Sequence, residues 1–126
     1  MIGIIGNGSA LHCDFISAHG TGTAFNDEME AKALNIAGLQ HAPMNSLKGY
    51  FGHTLGAAGI LESVICIHSM VHNELIPSFG FTKTGVSKEV NIIKKTVSKS
   101  IRNCLKTASG FGGCNAAMVL SKSMEA

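Results

Sequence analysis

The chain of 126 residues, 45% of them hydrophobic and 14% charged, is long enough to bury one modest core and too short for a large two-domain enzyme. A formal charge of +2 leaves no electrostatic footprint for nucleic acid. No apolar run of bilayer length and no leader with a basic head and cleavage site is read, so a globular cytoplasmic protein without a membrane partner is expected. Cys13, Cys66, Cys104 and Cys114 show no C-x-x-C spacing, which fits reduced thiols.

In chain order, Met1 to Gly6 is apolar and reads as a strand or an irregular start. Gly6-Asn7-Gly8-Ser9 lacks the lysine of a phosphate loop and reads as a plain loop. Phe15-Ile16-Ser17-Ala18 is a short apolar run of the kind a buried strand makes, and it delivers His19 to its carboxyl edge. Asn26 is expected to cap a helix with Asp27, Glu28 and Glu30 in its first turn, Met29, Ala33 and Ile36 on one face, and Gly38 as its stop.

A loop is expected around Pro43. From His53 to about Asn73 a second helix is predicted, central and buried, because Leu55, Ala57, Ala58, Ile60, Leu61, Val64, Ile65, Ile67, Met70 and Val71 leave almost no polar face. Gly56 and Gly59 cost helix propensity there, which suggests close approach of a neighbouring backbone or ligand. The last third reads as sheet: Val90 to Ile93, Lys95 to Ser98, Cys104 to Ser109 and Ala116 to Ser121, the final two flanking a turn at Gly110-Phe111-Gly112-Gly113. Strand, helix, strand, helix and hairpin predict an α/β layered fold.

The chemistry concentrates in two glycine-rich settings, Ser17-Ala18-His19-Gly20-Thr21-Gly22-Thr23 and Lys48-Gly49-Tyr50-Phe51-Gly52-His53-Thr54-Leu55-Gly56-Ala57-Ala58-Gly59. Imidazoles beside glycines, where no side chain bars a substrate, suit proton and oxyanion chemistry. Glu62 lies midway along an apolar helix, where an ionised carboxylate needs a cation, and Lys48 is the candidate. At a helix start the macrodipole disfavours a protonated His53 and favours a neutral donor.

These residues, with Gly110-Phe111-Gly112-Gly113-Cys114-Asn115, resemble the carboxyl-terminal half of a β-ketoacyl-[acyl-carrier-protein] synthase of the elongating, thiolase-like type. The similarity runs from about Asp14 to Leu120. It implies one half of a thiolase-like layered αβα fold, with a mixed sheet and a central buried helix, over residues 14–122. Residues 1–13 are then an N-terminal segment of unassigned fold and 123–126 a tail. The implied reaction is a decarboxylative Claisen condensation of a malonyl thioester with an acyl thioester, in fatty acid or polyketide synthesis. By the resemblance His19 and His53 serve the malonyl half-reaction, Lys48 with Glu62 organises the site, and Thr21 and Thr23 hydrogen-bond the phosphopantetheine arm of acyl carrier protein. Phe111 is the gate of the acyl pocket and lends its N–H to an oxyanion hole, with Gly112 beside it giving the freedom to swing. No other cofactor and no metal is implied.

The family's nucleophilic cysteine belongs to the other half. Cys114 follows the glycine turn and does not start a helix, Cys66 reads as helix packing, and Cys13 and Cys104 as small apolar residues. The expected partners are therefore acyl carrier protein and either the missing amino-terminal half or further copies of the chain. A non-catalytic truncated remnant, or a binding or scaffold module associating with synthase subunits or carrier protein, is the alternative.

Simpler readings stand beside these. Thr21 and Thr23 would cap the turn after His19, Phe111 would be core between strands, and Lys48 would be an exposed loop lysine. His68 and His72 stand at i, i+4, as metal ligands or as a solvated face. His12 and His41 carry no visible role. The run from Lys83 to Lys106 is a solvated sheet face or a carrier-protein docking patch.

Overall fold

Two helices on opposite faces of one sheet place the histidines. A computed structural model describes residues 12–123; the readings for the first residues, strand or irregular start and plain loop, lie outside the described residues, as do residues 124–126 of the tail. The main sheet has five strands in the order β4-β2-β1-β6-β7. These are β1 (Phe15–Ser17), β2 (Pro43–Asn45), β4 (Asn91–Ile92), β6 (Asn103–Ser109) and β7 (Asn115–Ser121). The first four are mutually parallel and β7 is antiparallel to β6. Helix α1 (Ala24–Ile36) joins β1 to β2, and α2 (Lys48–Phe51) is a single turn after β2. A 3₁₀ turn (Leu55–Ala57) leads into α3 (Ala58–His72). Strands β3 (Glu74–Leu75) and β5 (Val97–Ser98) form a separate antiparallel pair.

The period-2 alternation of the strands sorts the core into two layers. Phe15 and Cys104 face Cys66 and Met70 of α3, whereas Ile16 and Leu105 face Leu34 of α1 together with Met44. The next residues continue the pattern: Ser17 pairs in register with Lys106, on the α3 side, and Thr107 turns back to α1. This is the expected αβα arrangement with a mixed sheet.

Several local expectations change. Helix α1 begins three residues earlier than expected, with Thr23 at the N-cap position, and Asn26 instead donates from Nδ2 to Glu30 Oε2 at 3.0 Å. Its buried positions are Glu30, Ala31 and Leu34, while Ile36 is 89% exposed and Met29 is also exposed. The face is rotated because Glu30 is drawn under the β1 edge. The Pro43 loop is strand β2, tolerable because Pro43 is its first residue. In α3 only Ala58, Glu62, Cys66, Ser69 and Met70 are buried, on the face against the sheet. Ile60, Val64, Ile67 and Val71 are exposed on the outer face, and a Cβ at Gly56 or Gly59 would meet open space. The stretch Leu55–His72 is long and apolar enough to cross a bilayer, which the composition reading missed; its packing on the sheet through Cys66 and Met70 makes it a layer of the domain. The predicted strand Lys95 to Ser98 contributes only β5, outside the main sheet, while β6, β7 and their glycine turn stand as read.

Asp14 ties the start of β1 to β6. Its Oδ2 accepts the Arg102 and Asn103 N–H groups at 2.9 and 3.0 Å. Burial alone would raise its carboxyl, but these two N–H donors outweigh burial and hold it below the ordinary carboxylate range. A depressed carboxyl stabilises the fold above its unfolded pKa and loses that contribution as pH falls through the folded value. Asp14→Ala is expected to cost about 1–3 kcal/mol at neutral pH by urea denaturation. The difference from the parent should shrink progressively as pH falls below about 4, where the unfolded carboxyl protonates, and on through the lower folded value, where the folded one does.

Candidate active site

His19 follows the buried edge of β1, and its backbone is anchored by a residue the sequence reading did not single out for the site. Glu30 Oε1 accepts the His19 N–H at 2.9 Å and the Thr107 hydroxyl at 2.8 Å. Its Oε2 accepts the Gly20 N–H at 2.7 Å. With Asn26 added, every contact to this buried carboxylate is a donor, which suits an ionised acid. Gly20 adopts φ +43°, and a Cβ there would lie 2.6 Å from Ser46 Cβ. Its glycine is thus required by the β2–α2 turn lying against it, and Ser46 Oγ donates to Gly20 O at 2.6 Å. The expectation that this glycine clears a substrate's path is replaced by backbone packing.

Below the His19 ring lies an ion-pair triad. Lys48 Nζ is 2.6 Å from Glu62 Oε1, and Lys106 Nζ is 2.7 Å from Glu62 Oε2. The three side chains are 7%, 1% and 3% exposed for Lys48, Glu62 and Lys106. Lys48 is therefore no solvated loop lysine, and Lys106 departs from the solvated face expected for the Lys83 to Lys106 run. A carboxylate this deep is tolerated because each oxygen meets an ammonium. Lys48 Nζ also donates to His19 O at 2.6 Å and lies 3.2 Å from His19 Nδ1.

The two imidazoles converge, with ring centroids 5.1 Å apart in an edge-on arrangement. An ammonium has no acceptor, so Lys48 must donate to His19 Nδ1, and the neutral His19 ring carries its proton on Nε2. Burial, then the charge of Lys48, hold His19 below the ordinary histidine range, so it is neutral at physiological pH. His53 Nδ1 accepts the Leu55 N–H at 3.0 Å, which places the neutral ring's proton on Nε2 as well. Leu55 has a left-handed φ of +51°, a conformation costly for a side chain of its kind. This strained turn, rather than the first turn of an α-helix, orients His53.

Among the described residues no hydrogen bond or ring contact joins the side chains of Thr21, Thr23 or Phe111 to the two imidazoles. Thr21 and Thr23 pair hydroxyl to hydroxyl at 2.7 Å, and the Thr23 side chain makes no cap hydrogen bond. Phe111 is 98% exposed at the tip of the β6–β7 hairpin, which excludes the core reading. Gly112 beside it takes φ +78°. Cys66 and Cys104 are fully buried between α3 and the sheet. Contact with Cys66 and burial push the Cys104 thiol up, and burial pushes Cys13 up, which leaves both poor nucleophiles. Cys114 is exposed and follows the 3₁₀ turn Phe111–Gly113. His68 and His72 stack on the exposed face with centroids 6.0 Å apart, and no group of three or more metal-ligating His, Cys, Asp or Glu occurs among the described residues. A cleft of about 540 Å³ is lined by Thr21, Asn45, Ser46, Gly49 and the loop from Ser78 to Val86; neither imidazole lines it.

The family model for the β-ketoacyl synthase C-terminal domain matches residues 8–82. The polyketide biosynthesis malonyl-ACP decarboxylase PksF of Bacillus subtilis (strain 168) is 37% identical over 107 residues, which cover 85% of this chain and 26% of that protein. The ishigamide ketosynthase/chain length factor superposes with a TM-score of 0.85 at 29% identity, covering 92% of this chain and 29% of the other. A type II polyketide ketosynthase solved with its acyl-carrier protein, AntDE:AntF, gives a TM-score of 0.83 at 30% identity over 88% of this chain and 28% of that one. The chain spans about a quarter of the length of the curated relatives it matches, as the 26% for PksF shows. With its thiolase-like layers and paired histidines, the chain belongs to the β-ketoacyl synthase family and corresponds to its C-terminal domain.

Proposed function

We propose that this chain supplies the malonyl-decarboxylating half of a β-ketoacyl synthase site and works together with a portion that carries the nucleophilic cysteine. The observation that carries the reading is the pair of imidazoles at 5.1 Å whose Nδ1 atoms are both occupied as acceptors. Each ring then has only an Nε2–H to offer. Two N–H donors on rings this close suit a thioester oxygen on which charge develops. In the proposed step the bond between the malonyl carboxylate and its α-carbon breaks and carbon dioxide leaves. The electron pair moves into the thioester as an enolate, whose oxygen His19 and His53 stabilise. The α-carbon then attacks the acyl thioester on the cysteine of the other portion, and the cysteine leaves as thiolate.

Around this step the remaining residues take subordinate roles. Lys48 fixes the His19 tautomer and is itself fixed by Glu62. The hydroxyls of Thr21 and Thr23 hydrogen-bond the phosphopantetheine arm of the carrier protein, and Phe111 with Gly112 forms the movable gate of the acyl pocket. Acyl carrier protein is the proposed substrate carrier, with fatty acid or polyketide synthesis in the cytoplasm as the setting, and no further cofactor enters. The name of PksF and the carrier-protein complex of AntDE:AntF support malonyl and carrier-protein chemistry in the family. The exposed apolar residues Ile60, Val64, Ile67 and Val71 of α3 and Met118 and Val119 of β7 suit coverage by the rest of the synthase.

In a reconstituted enzyme, His53→Ala is expected to lower malonyl decarboxylation by about 10²–10³-fold, the usual effect of losing one oxyanion donor. Transfer of the acyl group to the cysteine should survive, as measured by labelled acyl-enzyme; equal loss of both steps would overturn the assignment. Binding of malonyl-carrier protein without any decarboxylation in the parent would favour the binding-module reading. Thr21→Val and Thr23→Val are each expected to raise KM for malonyl-carrier protein about 3–10-fold with little change in kcat, as loss of a neutral hydrogen bond predicts.

A further inference from the structure

We propose that Lys106 is a positioning residue of this site, holding the second oxygen of Glu62 so that Lys48 remains on His19 and the buried charge beneath the imidazoles is balanced. The inference deepens the reading above and rests on it only for the reaction served. Its basis is geometric. Lys106 is delivered to the α3 side of the sheet by its register opposite Ser17. Its side chain is 3% exposed, and its Nζ reaches Glu62 Oε2 at 2.7 Å and Ser17 O at 3.3 Å.

The charged and titratable groups facing His19 are Glu30 of α1, Lys48 of α2, Glu62 of α3 and the neighbouring His53, and Lys106 of β6 joins them through Glu62. Glu62 meets both ammoniums, whereas Glu30 meets only uncharged donors, so two carboxylates stand beside two lysines. Without Lys106 the carboxylates would be in excess, next to the place where an anionic oxygen must be received. Glu30 and Glu62 each favour protonation of His19, and Lys48 opposes it. Loss of Lys106 would also free Glu62 Oε2 to draw the Lys48 ammonium between its two oxygens and away from His19 Nδ1. The tautomer that presents Nε2–H would then lose its lock.

The test is a histidine-resolved NMR pH titration of the full chain, with circular dichroism reporting the fold. In the parent, His19 is expected to titrate below the ordinary histidine range. In Lys106→Met its midpoint should rise by about one pH unit or more, as the Glu62 charge is left less compensated and Lys48 is drawn off His19 Nδ1. Lys106→Arg should keep the midpoint low. A folded Lys106→Met protein with an unmoved His19 midpoint would overturn the proposal, as would a raised midpoint in Lys106→Arg. If Lys106→Met fails to fold, the double variant Glu62→Gln/Lys106→Met removes opposite charges together. Its His19 midpoint should stay near that of the parent, and a rise of a full unit there would overturn the proposal. No malonyl substrate enters this measurement. In the reconstituted enzyme the acid limb of the decarboxylation profile should move with the midpoint; a moved midpoint with an unmoved limb would count against the reaction assigned to the histidines and leave the electrostatic inference standing.

Discussion

The His19 side of this site depends on keeping one carboxylate paired where water does not reach it. Glu62 is 1% exposed and is held between Lys48 and Lys106. An unpaired carboxylate at that depth would cost several kcal/mol or take up a proton. Ion pairing at both oxygens, with a hydrogen bond from Lys48 at Oε1, offsets that penalty and places an ammonium against His19 Nδ1. From that contact follows the tautomer of His19, and burial together with the Lys48 charge keeps the ring neutral.

The sheet makes the arrangement possible by its alternation. Adjacent residues of β6 point to opposite layers, so Lys106 meets Glu62 on the α3 side while Thr107 meets Glu30 on the α1 side. Each helix contributes one buried carboxylate. That of α1 holds the backbone of His19 and Gly20, and that of α3 holds the lysines. The loop bearing His19 is therefore held from both faces of the sheet. His53 is set differently, by a strained turn at Leu55. The two rings meet at one point through unrelated devices.

The apolar faces belong to the same logic. Helix α3 spends its small and polar residues on the sheet side and turns Ile60, Val64, Ile67 and Val71 outward. Strand β7 is exposed along nearly its whole length. Surfaces of this kind are associated with interfaces rather than solvent. They fit a domain corresponding to about a quarter of its relatives, as the 26% coverage of PksF records.

The sequence alone was sufficient for the strand before His19, the hairpin around Gly110 to Gly113 and the pairing of Lys48 with Glu62. These rest on local patterns, namely a short apolar run, a glycine cluster and a charge stranded in an apolar helix. It misplaced the buried face of α1, read strand β2 as a loop, and took Lys106 for the end of a solvated run. Each miss concerns a residue whose partner lies far along the chain: Glu30 with Thr107, Met44 beside Ile16, and Lys106 with Glu62. Residue type and spacing picked out the candidate site residues, because imidazoles, glycines and charges announce themselves locally. Which acid anchors which backbone, and where each imidazole keeps its proton, only the tertiary structure decided, because those depend on strand register and on the side of the sheet to which each side chain is turned.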